Sequence, residues 1–308
     1  MKNILFISLF SLVFAAQAQK DWSTVDFIKE GKVDTKGLGK SFKSNPVFVN
    51  DYYIMQASMM KGSSQAGVMQ KQGVGSVFSE ASLAGVSKEA LQSLIEEIHG
   101  QLIQELKNAG LDVVDGEALL QTDYAQSKKD DKKVFAGKTD GTVIYDKLNS
   151  MDANGYDIKE VNYFRPKDKN AFYTSATIPG NFYAKMASKE KVTLMSIGYI
   201  IRFASFEGSK TVSKNKLTTT AGLAITPVIM ISNPSGAFSW IAFKKPIEGN
   251  NDWSNGLVKI DSRDGSYWGL SSKSEYAIEA NEAKYVAELK DLITNLQKDI
   301  VELIKSEI

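Results

Sequence analysis

The chain contains one histidine, His99, which limits the chemistry available to it. A histidine that acts as a catalytic base needs a nucleophile and an orienting acid within reach. The sequence has no Gly-x-Ser-x-Gly turn that would present a serine nucleophile. His99 also follows Ile98 directly, at the border of an apolar helical stripe. We therefore interpret His99 as a structural residue.

Metal ligands are also scarce, since zinc sites normally draw on cysteine and histidine and the chain has no cysteine. Calcium needs only oxygen ligands. Two polar stretches contain several such ligands: Asn250, Asn251, Asp252 and Asn255, and Asp261 with Asp264. Neither stretch follows the EF-hand spacing with its closing glutamate, and asparagine and aspartate are frequent turn residues. We predict no metal site and no cofactor, with calcium as the open alternative.

Phosphate-binding loops and paired carboxylates give no stronger signal. Residues 73–75 have a Gly-x-Gly core without a third glycine in register, and the full P-loop motif is absent from the sequence. The two carboxylates of a glycosidase can be far apart in a chain, so that alternative stays open. We predict a non-enzymatic protein and rank an enzyme third among the functions considered.

The balance of charge argues against a nucleic-acid partner. The chain carries 37 lysine and arginine residues against 36 aspartate and glutamate residues. The arginines are few: Arg165, Arg202 and Arg263. Nucleic-acid surfaces usually concentrate positive charge and use arginine forks for phosphates. We therefore predict that no nucleic acid binds this chain.

The first 18 residues are typical of a cleavable secretion signal. Lys2 gives the charged start, residues 4–14 give the apolar stretch, and Ala16-Gln17-Ala18 gives a small-x-small cleavage site. The apolar stretch is shorter than the roughly 20 residues of a membrane-spanning helix. We predict a periplasmic or secreted protein that begins at Gln19. Because Gln19 stands where a lipoprotein needs cysteine, we expect no lipid anchor, and we expect no membrane-spanning helix.

An amphipathic helix is predicted over residues 88–109. Its apolar residues fall on one face at helical spacing: Leu91, Leu94, Ile95, Ile98, Leu102, Leu106 and Ala109. Ser87 is the expected N-cap. Gly110 suits the left-handed position that ends a helix, and Leu111 can then pack back on Leu106 in a Schellman ending.

The remaining pattern predicts one sheet. Segments rich in aromatic and β-branched residues indicate strands at 46–59, 111–114, 142–146, 191–206, 221–231 and 237–244, with a hairpin in 257–270. The strand 191–206 is apolar on both faces, which is typical of a central strand in a covered sheet. Residues 19–45 indicate a loosely ordered lead-in. Residues 61–85, rich in glycine, serine, glutamine and methionine, indicate a long mobile loop of the functional or disordered kind.

A second long amphipathic helix is predicted over residues 275–307, which contain no glycine or proline. A helix of this length can extend past its own domain, although packing along the sheet is the commoner arrangement. The apolar residues near its end are our candidate partner contacts: Leu296, Ile300, Leu303 and Ile304. Most aromatic residues of the strands are expected in the core. An exposed set would instead form a ligand site, with these candidates: Trp240, Tyr267 and Trp268.

The order of elements adds a resemblance. Residues 91–115 have the form LxxLIxxIxxxLIxELxxAGLDVVD, and GEALLQTDYAQ and the later strand VTLMSIGYIIRFASFEG follow. This pattern resembles the α/β domain of the curli secretion channel family and the related N-terminal domain of the Tol-Pal system's periplasmic propeller protein. The resemblance implies a periplasmic assembly or adaptor domain, closed by the helix 275–307 and without catalytic residues. The channel proteins are typically lipidated, and Gln19 departs from that pattern.

The expected fold is α+β, with one mixed β-sheet packed by the helix 88–109 and the long C-terminal helix 275–307. Residues 46–308 are expected to form a single α+β domain. The expected function is that of a non-enzymatic exported envelope protein that acts through protein–protein contacts and self-association, as an assembly or secretion-accessory component. The alternative is a periplasmic binding module for an apolar or carbohydrate ligand.

Overall fold

Within the described residues, twelve strands of the computed structural model form one mixed sheet. The structure describes residues 33–36, 38, 41–42, 46–64, 76–114, 118–119, 121–127, 141–144, 157–166, 180–210, 215–243, 245–263 and 271–307. The strands are β1 (Val33–Lys36), β2 (Val47–Ser64), β3 (Val77–Ala84), β4 (Val113–Val114), β5 (Gly141–Ile144), β6 (Asp157–Phe164), β7 (Thr193–Lys210), β8 (Asn215–Ser232), β9 (Phe238–Phe243), β10 (Ile247–Glu248), β11 (Ser254–Arg263) and β12 (Ser272–Ala280). The helices are α1 (Lys88–Asn108), α2 (Asp123–Gln126), α3 (Gly180–Glu190) and α4 (Glu282–Glu307).

The sheet runs in the order β1-β9-β8-β7-β2-β3-β12-β11. Strand β10 pairs with β8, strands β4 and β6 pair with β2, and β5 pairs with β6. Strand β2 is parallel to β7 and to β4, and β3 is parallel to β12, whereas the other pairs are antiparallel. The predicted fold class, α+β with one mixed sheet, is confirmed.

Helix α1 begins and ends as the sequence predicts. The Ser87 side chain accepts a hydrogen bond of 3.2 Å from the backbone N–H three residues later. At the other end Gly110 has φ +89°, a conformation that favours glycine. The Leu111 N–H donates to the Leu106 carbonyl at 3.2 Å, and the Gly110 N–H donates to the Lys107 carbonyl at 3.0 Å. These two bonds define a Schellman ending.

Helices α1 and α4 bury their apolar faces in the main core of the protein, against the sheet. The buried side chains of α1 are the ones that its spacing predicts: Leu91, Leu94, Ile95, Ile98, Leu102 and Leu106. Beneath them, every residue of β7 from Thr193 to Ala204 is buried. The apolar pattern of β7 on both faces therefore has the predicted physical cause, which is coverage of both sides of a central strand.

A buried hydrogen-bonded network fixes α4 on the sheet. The Gln297 Nε2 group donates to the hydroxyl of Tyr52 at 2.5 Å and to that of Tyr199 at 3.2 Å. The Tyr285 hydroxyl donates to Gln56 Oε1 at 2.8 Å. Because a buried polar group costs free energy unless it is hydrogen-bonded, these contacts favour one position of α4 along the sheet.

Residues 61–85 are not the long loop that their composition indicated. Strand β2 continues to Ser64, and β3 occupies Val77–Ala84, while residues 65–75 lie outside the described residues. Strand β3 forms because β2 and β12 pair with its two edges and satisfy its backbone groups. Tertiary pairing here overrides a composition of small and polar residues.

The predicted lead-in, residues 19–45, also contributes to the fold where the structure describes it. Strand β1 pairs with β9 in antiparallel fashion, from Val33 opposite Phe243 to Lys36 opposite Trp240. Leu38 is buried in the main core, as is Phe42 four residues later. Pairing with β9 gives this polar segment the order that its composition did not indicate.

The C-terminal helix begins seven residues later than predicted, at Glu282 rather than at 275. Residues 275–280 belong to β12, which pairs with β3 on one side and with β11 on the other. Asn281 then ends the strand, since its side-chain Oδ1 accepts the Lys284 N–H at 3.1 Å as an N-cap does. The sheet supplies the hydrogen bonds that a longer helix would otherwise make.

Candidate interaction surface

The last strand of the sheet, β11, is exposed along its length. Every residue from Asn255 to Arg263 is exposed to solvent, and Ser254 is half-buried. Three apolar side chains are exposed by 39, 47 and 61 % respectively: Leu257, Val258 and Ile260. We refer to Ser254–Arg263 as the β11 edge. Edge strands present unpaired backbone groups, and exposed apolar side chains beside them make such an edge a site for pairing with another chain.

The base of the β11–β12 hairpin is anchored in the core. The buried Trp253 ring packs edge-on against Tyr285 of α4, with ring centroids 4.9 Å apart. Its indole Nε1 donates to the Asn250 carbonyl at 3.0 Å, and its own carbonyl accepts the Asn281 N–H at 2.7 Å. On β12, Ile278 is fully buried. The hairpin is therefore fixed at its base, which holds the β11 edge out from the core.

A β-bulge lies at the centre of the β11 edge. Lys259 is opposite Tyr276 of β12 and Asp261 is opposite Glu275, so Ile260 has no cross-strand position of its own. A bulge bends the strand and increases its twist. This geometry explains why Ile260 is the most exposed of the three apolar residues. Lys259 precedes it and Asp261 follows it.

An ion-pair ladder crosses the polar face of β2, β3 and β12. The Lys61 Nζ atom lies 3.8 Å from Glu80 Oε1, and the Lys273 Nζ atom lies 2.9 Å from Glu80 Oε2 and 2.6 Å from Glu275 Oε1. Hydrogen bonds to Glu275 and Glu80 raise the pKa of Lys273. Lys61 also lies over the Phe78 ring, 4.6 Å from its centroid. Since such surface pairs add little stability individually, their main effect is to make this face strongly polar.

A shallow pocket of about 300 Å³ lies beside the ladder. Its lining combines both signs of charge with one aromatic ring: Phe78, Asp261, Arg263, Ser271, Lys273 and Glu275. Polar groups of this kind orient a ligand that carries hydrogen-bonding groups. Two of the predicted ligand aromatics, Tyr267 and Trp268, belong to the connection between β11 and β12 and lie outside the described residues.

A separate polar cluster is buried between β2, β7 and the end of β6. The Arg165 Nη2 atom lies 3.0 Å from Asp51 Oδ1, and Arg165 Nε donates to the Tyr163 hydroxyl at 2.9 Å. The Ser196 hydroxyl donates to Asp51 Oδ2 at 3.4 Å. Burial raises the pKa of Asp51 to about 7, although the Arg165 guanidinium acts in the opposite direction. A carboxyl group of this pKa can transfer protons near neutrality, but both oxygens here contact groups of the protein itself.

The four predicted partner contacts of the C-terminal helix lie in the core of the chain. Leu296, Ile300, Leu303 and Ile304 are each 6 % exposed or less. They belong to the main core, which also contains the apolar face of α1. A partner could reach them only if α4 left the sheet, so they offer it no surface on the folded chain.

The other residues that the sequence singled out lie apart from one another. Trp240 is on β9 and is 36 % exposed, far along the sheet order from the β11 edge. The His99 ring packs against Tyr52, with centroids 5.0 Å apart.

Two of the predicted calcium-ligand candidates instead make structural hydrogen bonds. Asn250 donates its backbone N–H to Glu288 at 2.7 Å, and the Asn251 side chain accepts the Leu223 N–H at 3.4 Å. These asparagines therefore help to hold their loop against α4 and β8.

Two features are absent from the part of the chain that the structure describes. No group of three or more histidine, aspartate and glutamate side chains is arranged to hold a metal ion there. None of the helices in the same residues combines the length and apolarity that crossing a membrane requires.

The exposed apolar residues of the β11 edge were not among the residues that the sequence singled out, although their pattern carried a signal. Residues 257–263 have the sequence LVKIDSR, in which the apolar residues do not recur at every second position and so do not all fall on one face of a strand. A strand buried on one face shows regular apolar–polar alternation, so this irregular pattern indicates a strand with no covered face. No family model, curated protein or solved structure matches this chain.

Proposed function

We propose that this chain is a non-enzymatic exported envelope protein that acts through protein–protein contacts made by the β11 edge. The observation that carries the proposal is the exposure of Leu257, Val258 and Ile260 together on the last strand of the sheet. Extended segments of other chains bind such edges through main-chain hydrogen bonds, with side chains providing specificity. A rigid hairpin base favours this use, because little order has to be gained on binding.

The class of protein follows from the resemblance to the curli secretion channel family. The helix–glycine–strand unit that carries the resemblance is formed by α1, Gly110 and β4, and β4 pairs in parallel with β2. We assign the chain to assembly or secretion-accessory components on this basis. The secretion signal over residues 1–18 supports a periplasmic or secreted location.

The size of the exported protein in native cell extract tests this function. We expect the wild-type chain to elute from a size-exclusion column in a complex larger than the monomer. The double variant Val258→Glu with Ile260→Glu should elute as a monomer, because two buried carboxylates would be unpaired in the contact. The matched control is Lys107→Glu on the exposed end of α1, which should elute with the wild type. A wild-type monomer, or a double variant that stays in the complex, contradicts the proposal.

The second candidate function is the binding of a carbohydrate or other small ligand at the pocket beside the ladder. The observation that favours it is the convergence of Asp261, Arg263 and Lys273 around one cavity of about 300 Å³. A ligand that binds only the folded state raises the melting temperature, and the rise increases with the logarithm of the ligand concentration once the site is saturated. A panel of oligosaccharides that raises it for the wild type, and leaves Arg263→Ala unchanged, would support this candidate.

A further inference from the structure

We propose that the pocket beside the ladder binds a sugar that carries a carboxylate, such as a hexuronic acid. This inference does not depend on the protein contact at the β11 edge. It rests on the second candidate function, since it names the chemical class of ligand for the same pocket. Its basis is the charge that the strands leave unpaired in the pocket and the aromatic ring beside that charge.

Side chains of like charge face each other across the β11–β12 pair. Arg263 is opposite Lys273, and Asp261 is opposite Glu275. Because residues two positions apart on a strand point to the same face of a sheet, all four side chains lie on one face. All four also line the pocket. Like charges at directly facing positions are destabilising, so each of these pairs is stabilised by a partner of opposite charge.

The ladder supplies such a partner for one member of each pair. The Lys273 ammonium contacts the carboxylates of Glu80 and Glu275. In contrast, none of the ion pairs among the described residues includes Arg263 or Asp261. The Asp261 Oδ1 atom accepts the N–H of the next residue at 2.7 Å. One guanidinium and one carboxylate of β11 are thus available to a ligand in the pocket.

The Arg263 guanidinium selects an anionic group at one end of the ligand. Arginine has a planar fork of N–H donors that matches a carboxylate or a phosphate. A carboxylate matches the single charge of Arg263. A phosphate group carries nearly two negative charges, and the second would be repelled by the carboxylates of Asp261 and Glu275 in the same pocket. This electrostatic balance favours a ligand with a carboxylate.

Asp261 and Phe78 favour a sugar ring for the rest of the ligand. An ionised carboxylate accepts hydrogen bonds, and sugar hydroxyls donate them. Phe78 lies opposite Lys273 on β3 and adds an aromatic ring to the lining, against which the C–H groups of a sugar can pack. A hexuronic acid has a carboxylate and several hydroxyls around one ring, so a single molecule can contact both Arg263 and Asp261. The volume of about 300 Å³ suits a ligand as small as a monosaccharide.

A matched pair of sugars tests this inference on the purified full chain. Glucuronic acid and glucose differ only in the group on the sixth carbon, which is a carboxylate in the acid and a hydroxymethyl group in glucose. In a ligand-observed NMR titration we expect glucuronic acid to bind about fivefold or more tightly, because hydrogen bonds between two charged groups are the stronger ones. Glucose 6-phosphate that binds more tightly than glucuronic acid would contradict the choice of a carboxylate.

Substitutions on β11 locate the site. Arg263→Ala should remove the preference for glucuronic acid over glucose. The matched control is Lys259→Ala, which removes an exposed cation from the same strand. Lys259 is opposite Tyr276, the neighbour of Glu275, so its side chain lies on the other face of the sheet and the preference should equal that of the wild type. Melting temperatures check that both variants fold. A preference that survives in Arg263→Ala, or that Lys259→Ala removes to the same extent, overturns the proposal.

The failure of this inference can be distinguished from that of the function on which it rests. If glucose binds as tightly as glucuronic acid, the pocket binds neutral sugars and the choice of an acidic sugar is wrong. If neither sugar binds, the second candidate function is wrong as well. Neither result changes the protein contact at the β11 edge, which the double variant Val258→Glu with Ile260→Glu tests separately.

Discussion

The guanidinium of Arg165 lies 3.0 Å from the carboxylate of Asp51, in an ion pair that is buried where β2 meets the end of β6. Removing two charges from water costs several kcal/mol per ion, and the attraction between them offsets this only in part. The consequence is visible in the raised pKa of Asp51, about 7. The interior of this protein therefore contains a carboxyl group that titrates in the physiological range.

This titration predicts that stability falls as the pH rises. The folded state binds a proton on Asp51 up to about pH 7, whereas the unfolded state releases it near pH 4. The free energy of unfolding should therefore decrease between pH 5 and 8, by on the order of 2 kcal/mol from this group. Urea unfolding at both pH values measures the decrease. In Asp51→Asn the decrease should be smaller by that amount, and an unchanged pH dependence would contradict the assignment.

The network around Gln297 predicts a large and local loss of stability. Gln297→Ala removes the amide that donates to the buried hydroxyls of Tyr52 and Tyr199 and opens a cavity under α4. We expect a loss of about 2–4 kcal/mol in the free energy of unfolding. The control is Glu302→Ala on the exposed side of the same helix, which should change stability by less than about 0.5 kcal/mol. Equal effects of the two substitutions would show that the network is unimportant.

Two glycines give opposite predictions for the same substitution. The Tyr53 ring covers Gly198 so closely that a Cβ at position 198 would overlap it. Gly198→Ala should therefore cost about 1–3 kcal/mol, because the tyrosine must move within a packed core. Gly100 lies in the interior of α1 with open space around it, so Gly100→Ala should stabilise the protein by about 0.5–1 kcal/mol. Thermal unfolding of both variants checks the pair, and a shift of the same sign in both would contradict this packing.

Local signals predicted the elements that depend on local interactions. The apolar spacing of α1, the Ser87 cap and the Gly110 ending lie within one stretch of chain, and all three are confirmed. The double-sided apolar pattern of β7 likewise predicted a central strand. In these cases the residues that determine the structure are neighbours in the sequence.

Non-local pairing explains what the sequence did not predict. Strand β3 has an unremarkable composition and exists because β2 and β12 pair with both of its edges. The start of α4 depends on the same pairing of β12, which ends at the N-cap Asn281. The burial of Leu303 and Ile304 depends on where α4 packs, which apolar spacing alone does not determine. For that reason the candidate interaction surface is the β11 edge and not the end of the C-terminal helix, which the sequence predicted.

Site-specific photo-cross-linking in intact cells that produce the protein tests the central claim most directly. A photoreactive amino acid is placed at Val258 on the β11 edge, and for comparison at Lys107 on α1, which is also exposed to solvent. The account predicts discrete protein adducts from position 258 and none of these from position 107. Absence of any adduct at 258, or the same adducts from both positions, would contradict the assignment of the β11 edge as the contact surface.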